Sequence, residues 1–131
     1  MKKLLTLLLI LPLLVSCSDD DPVIPTQDYT SFVFEQTVDN NLPNCIAAYK
    51  KDGKYYKLGN LGDLSLNKQS PEIRINDNSI TEVYFFTDYL NTVRFDAIYK
   101  LQFKSKNIFK LSSNVGGISV TDKTDPTQYP Q

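Results

Sequence analysis

The side chains able to do chemistry are few, and what they exclude is as informative as what they allow. The chain has two cysteines, Cys17 and Cys45, and no histidine. Without an imidazole there is no Ser-His-Asp or Cys-His nucleophile, no histidine-ligated zinc and no side chain that ordinarily titrates near neutrality. Cys45 is the single thiol beyond the N-terminal region, which removes a four-cysteine metal site and reads as a small buried apolar residue. The five glycines, at 53, 59, 62, 116 and 117, open no helical pattern, so no phosphate-cradling loop is expected. Neither a cofactor nor a metal is called for.

Carboxylates are what remains for acid–base work. Glu72, Glu82, Asp88 and Asp96 could in principle pair as in glycoside hydrolysis. Three of them fall at solvent-facing strand positions, where charge ordinarily serves solubility. Asn76-Asp77-Asn78 offers oxygen ligands but lacks the spaced donors and closing glutamate of a calcium loop, and reads as turn chemistry. The aromatic residues are better placed for binding. Tyr55-Tyr56 and Tyr84-Phe85-Phe86 are adjacent rings on strands, and neighbours on a strand point to opposite faces. Tyr55, Tyr56 and Tyr89 are therefore the candidate binding surface, suited to sugar stacking or protein contact. The alternative is that outer rings pack against the N-terminal tether, the C-terminal tail or neighbouring side chains.

The first sixteen residues have the order of an export signal. Lys2 and Lys3 give the positive start, and Leu4 to Val15 is a run of twelve residues, apolar except for Thr6 and Pro12. An apolar core of about 7–15 residues fits such a signal, while a spanning helix needs about 20. The run ends in Leu14-Val15-Ser16-Cys17. This resembles the lipobox of bacterial lipoproteins, and the resemblance implies cleavage before Cys17 and a lipid on its sulfur. Leu14 would fill an apolar subsite, and small Ser16 would sit beside the scissile bond. Two or three acyl chains anchor stably, where one holds marginally. Asp19, Asp20 and Asp21 follow at once. That acidic run is similar to the export signal of surface-exposed lipoproteins in Gram-negative gut anaerobes. It implies an outer-membrane, surface-facing location. As charge alone, the run is a solvated tether kept extended by repulsion.

These groups need a scaffold, and the remaining sequence describes one. Removing residues 1–16 leaves 115, enough for one domain. The expected organisation is a signal over 1–16, an acidic tether over 17–28, a β domain over 29–121 and a polar tail over 122–131. The tail is expected to run over the surface or to be disordered. Without Lys2 and Lys3 the chain carries 12 basic and 15 acidic side chains, a net of −3, so nucleic acid is a poor partner. Lys50, Lys51, Lys54 and Lys57 cluster around Asp52, as on a solvated hairpin.

Strand signals dominate. Thr92 to Phe103 alternates, with Val93, Phe95, Ala97, Tyr99, Leu101 and Phe103 on one face. Asp52-Gly53 marks a tight hairpin between 45–50 and 54–58. Shorter strands are expected over 31–38, 72–75, 80–88, 107–112 and 118–121. Seven or eight short strands predict an all-β, antiparallel sandwich, immunoglobulin-like or transthyretin-like. The stretch Leu58 to Leu64, followed by Ser70-Pro71, resembles the loop-and-turn pattern of immunoglobulin-like envelope domains. The reading that follows is a non-enzymatic binding or structural module, membrane-held through lipid, with a protein or glycan partner. The rival is an envelope inhibitor or immunity-type lipoprotein directed at a toxin or protease.

Overall fold

A computed structural model describes residues 27–91, 93–112 and 119–131, with the backbone alone for 91 and 93–97. The expectations for Leu14, Val15, Ser16, Cys17 and Asp19 to Asp21 lie outside the described residues, as do those for Gly116 and Gly117. The strands are β1 (Thr30–Gln36), β2 (Leu42–Lys51), β3 (Lys54–Leu64), β4 (Ile73–Ile75), β5 (Glu82–Thr87), β6 (Val93–Lys100), β7 (Lys106–Leu111) and β8 (Ser119–Val120). They form two sheets, ordered β4-β1-β7 and β3-β2-β5-β6-β8. The protein is an all-β sandwich.

The pairing is antiparallel except between β1 and β7, which run parallel with Phe34 opposite Phe109. In an immunoglobulin sandwich the first, second, fourth and fifth strands share a sheet. Here β2 pairs with β3 and β5, while β1 and β4 lie in the other layer. The strand order therefore departs from the immunoglobulin arrangement.

The core is built from alternating residues of the facing layers. Phe32 and Phe34 of β1, Val83 and Phe85 of β5 and Cys45 and Ala47 of β2 are almost fully buried in one cluster. Phe34 sits at its centre, with ring centroids 5.0 Å from Phe85, 5.0 Å from Tyr99 and 5.5 Å from Phe109. Such tilted and edge-on contacts add to the burial of ring area. β1 is more buried than a strand with one wet face, because Ser31 and Val33 are covered as well. It is the middle strand of its sheet, flanked by β4 and β7.

Two stretches differ from expectation for physical reasons. Leu58 to Leu64 is not a loop but the second half of β3, with Leu61 and Leu64 buried. Its glycines mark irregular pairing instead of a break. The β2–β3 register shifts around Cys45↔Gly62, and Gly62 takes φ +73. Gly59 lets the layers approach, since a Cβ there would lie 2.8 Å from Ile73 Cδ1. The strand expected to reach Phe103 ends at Lys100, and Phe103 is 55% exposed in the following turn. β6 carries one extra residue between the pairs Tyr84↔Ile98 and Phe86↔Phe95. A bulge of this kind breaks period-two alternation.

Candidate functional site

The β2–β3 hairpin sets the site. Its apex is Asp52 (φ 52) and Gly53 (φ 77), the two left-handed residues that a tight turn between right-twisted strands requires. That turn fixes the rungs Lys51↔Lys54, Lys50↔Tyr55 and Tyr49↔Tyr56. Alternation then places Tyr49, Tyr56, Lys51 and Lys54 on one face of the hairpin, and Tyr55 and Lys50 on the other.

The Tyr49 and Tyr56 rings stack, with centroids 5.4 Å apart and planes at 26°. Tyr56 is 37% exposed. Two rungs on, the next pair on the same face is two lysines directly opposite one another, Lys51 and Lys54, both exposed. Like charges in that relation repel.

A cleft of about 320 Å³ opens beside this face, lined by Tyr49, Lys51, Ser79, Ile80, Glu82 and Tyr84 among others. Its origin lies in the sheet. β2 and β5 pair from Ile46↔Phe86 to Ala48↔Tyr84 and no further. Beyond that point β2 runs on to Lys51, while β5 begins at Glu82, which pairs with Lys100 of β6. The link from β4 to β5, residues 76–81, crosses between the layers here and supplies Ser79 and Ile80. It is held by the Ser79 amide donating to Asp77 Oδ1 at 2.9 Å and the Ile80 amide donating to the Asp77 carbonyl at 3.1 Å. Hydrogen bonds from Ser79, with a smaller contribution from Lys51, hold the Asp77 carboxyl below its ordinary value. Burial and the Glu82 carboxylate push the Tyr84 hydroxyl above its ordinary value, so it stays a protonated donor at neutral pH.

The three tyrosines expected to form one binding surface are separated. Tyr56 stacks on Tyr49, which lines the cleft, but does not line it itself. Tyr55 is buried, 8% exposed, on the outer face of the large sheet. There it meets Tyr84 and Phe86 edge-on, at 5.2 and 5.1 Å. The C-terminal tail covers that face: the Tyr55 amide donates to the Pro126 carbonyl at 2.7 Å, and Tyr129 lies 6.1 Å from Phe86. Tyr89 follows β5 at the opposite end of the sandwich, half-buried against the main core. Tyr49 was not singled out from sequence, although counting rungs back from Asp52-Gly53 pairs it with Tyr56.

The carboxylates do not converge. Glu72 lies 3.7 Å from Lys106, beside the small sheet. Asp88 lies 3.1 Å from Lys123 at the far end. Glu82 lines the cleft. Asp96 lies on β6, where the backbone alone is described. Cys45 is 1% exposed, its thiol donating to the Leu42 carbonyl at 3.2 Å, and burial pushes it from 9.0 up to about 12. Among the described residues no group of histidine, cysteine or carboxylate side chains is gathered to hold a metal ion. The chain matches no family model, no curated protein and no solved structure.

Proposed function

We propose that the protein is a lipid-anchored binding module of the bacterial cell envelope. It is held at Cys17 and exposed at the surface, and it takes its ligand in the cleft at the β2–β3 hairpin. The observation that carries the binding part is the Tyr49–Tyr56 stack standing beside that cleft. An aromatic pair with one partly open ring offers apolar area at small entropic cost, and Ser79, Glu82 and the Tyr84 hydroxyl supply polar contacts. The separation of Glu72, Glu82 and Asp88 supports holding over hydrolysis, because a glycosidase needs two carboxyl groups within about 5–9.5 Å across a bond. The anchor rests on Leu14-Val15-Ser16-Cys17, and surface exposure on Asp19 to Asp21.

Two experiments test this. Cells expressing the chain are fed labelled palmitate and compared with Cys17→Ala. Label retained by the variant removes the anchor, and resistance of the wild type to protease on intact cells removes surface exposure. The full chain, immobilised, is then offered a panel of glycans and envelope proteins beside Tyr49→Ala, which removes the ring that lines the cleft. The expected result is a ligand held by the wild type and lost by the variant. Equal retention by both excludes the cleft.

A further inference from the structure

The turn from β6 to β7 has Phe103 and Lys104 at its tip, and both point to water. Phe103 is 55% exposed, and Lys104 is exposed with φ 53. The tip is braced from inside, because the Asn107 side-chain amide donates to the Gln102 and Ser105 carbonyls, each at 3.1 Å. It is also tied to the start of β1. The Lys104 amide donates to Thr30 Oγ1 at 2.8 Å, and the Ser31 amide donates to the Ser105 carbonyl at 3.0 Å. Arg74 Cζ lies over the Tyr29 ring at this same end, 4.0 Å from its centroid. Ser31 of β1 pairs with Arg74 on one side and Lys106 on the other. Against Lys104, Lys106 and Arg74 stand Glu72, 3.7 Å from Lys106, and Asp28. The end therefore has an aromatic tip and a small excess of positive charge around it.

Resting on the lipid anchor proposed above, we infer that this turn docks on the anionic lipid surface that holds the protein. Phe103 enters the boundary of the acyl chains and Lys104 reaches lipid phosphates. Tyr29 and Arg74 lie at headgroup level, where amphipathic aromatic and cationic side chains settle. The tether selects this partner. Tyr29 is twelve residues on from Cys17, so a lipid there keeps the turn at high effective concentration against the membrane. One ring and a few cations then suffice, where a free protein would need a larger surface. The braced turn also has little left to order on docking. Exposure alone does not select the site. Leu90 is more exposed, at 69%, but it follows β5 at the opposite end of the sandwich, away from where the tether enters.

The chain has no tryptophan, so Phe103→Trp reports on this position alone. The full chain is produced in a host that lipidates such proteins and reconstituted in vesicles of phosphatidylcholine and phosphatidylglycerol, with and without bromine on the acyl chains. Leu90→Trp is the control, with the same ring at the far end. Both positions are exposed, so neither change disturbs the core. The expected result is that Phe103→Trp emits at shorter wavelength on vesicles and is quenched by the brominated chains, while Leu90→Trp does neither. Adding Lys104→Gln to Phe103→Trp should lower the docked-to-free ratio about fivefold, the worth of one cation near an anionic surface. Phe103→Trp emission that is unshifted and unquenched overturns the inference. So does equal quenching of Leu90→Trp. Quenching that neither Lys104→Gln nor omission of phosphatidylglycerol reduces overturns the anionic surface. Mass spectrometry of the same preparations reads the lipid on Cys17 separately. A chain without it removes the anchor reading, and its response to added vesicles, scored in the same way, still decides the turn.

Discussion

Asn107 closes the turn between β6 and β7 with one side chain. Its amide nitrogen donates to the carbonyls of Ser31, Gln102 and Ser105 at 3.0–3.1 Å, and its oxygen accepts from the Gln102 amide at 2.8 Å. The residue is 7% exposed, its bond to Ser31 is buried and the others are partly buried. Asn107→Ala strands the buried Ser31 carbonyl, worth about 1–3 kcal/mol, and frees the partly buried groups of the turn, and should lower stability by about 2–3 kcal/mol in a denaturant titration. Asn107→Asp should do similar harm, because a carboxylate cannot donate to three carbonyls. Cys45 makes a prediction about pH. Its folded thiol titrates near 12 against 9.0 when free. The folded state keeps its proton where the unfolded chain has lost it. The contribution is therefore whole below about pH 9 and is lost as pH rises towards 12. Cys45→Ala should show a flatter fall in stability over that alkaline range. Wild-type Cys45 should react with a thiol reagent only as fast as the protein opens. Burial of this thiol was legible from its being a lone cysteine without a histidine. Asn107 was not legible, because an asparagine after a polar break looks like any turn residue.

At the level of elements, the C-terminal tail finishes the large sheet. β3 is an edge strand, and an unpaired edge invites pairing with another chain. The tail occupies part of it. Tyr55 and Lys57 donate to the carbonyls of Pro126 and Gln131 at 2.7 and 3.0 Å. Tyr129 packs on the outer cluster of Ile46, Ala48, Tyr55, Phe86 and Val120, and Pro130 is buried. Its polar residues fold back on the tail itself, Asp122 accepting from Thr124, and Asp125 from Thr127 and Gln128. Deleting residues 122–131 should uncover Tyr55 and Phe86 and lower the melting temperature. The truncated chain should self-associate at concentrations where the full chain does not, as sedimentation would read. A truncated chain that stays equally stable and monomeric would show the tail to be dispensable. From sequence the tail was a polar segment either lying on the surface or disordered. Composition cannot decide that, because docking depends on the few apolar groups Pro126, Tyr129 and Pro130 finding a face assembled from strands far away in the chain. β3 was half-read for a related reason. Asp52-Gly53 gave the hairpin and its register, but Gly59 and Gly62 look like a loop until β2 is laid beside them.

For the whole molecule, both layers meet at Phe34. It touches β5, β6 and β7 side chains together, so the two sheets should melt as one unit. Phe34→Ala removes a fully buried ring and should cost about 3–5 kcal/mol, a large part of the 5–15 kcal/mol typical of a domain. Calorimetry on this variant should show a single lowered transition, and two resolved transitions would contradict a shared core. The sandwich itself was legible because alternation and turn residues are local signals. The order of its strands was not, because β1 joining β4 and β7 is decided by packing across the whole chain.

The strand order also fixes which end of the sandwich carries the cleft. β1 begins beside the end of β4 and the start of β7, and the 76–81 link carries that same end across to the cleft. The chain thus enters the fold at the end where its cleft opens. On the proposed anchor, twelve residues from Cys17 to Asp28 span at most about 40 Å fully extended. On that proposal the cleft would open at the tethered end of the sandwich, so the tether's reach would also set how far from the anchor a ligand could be taken.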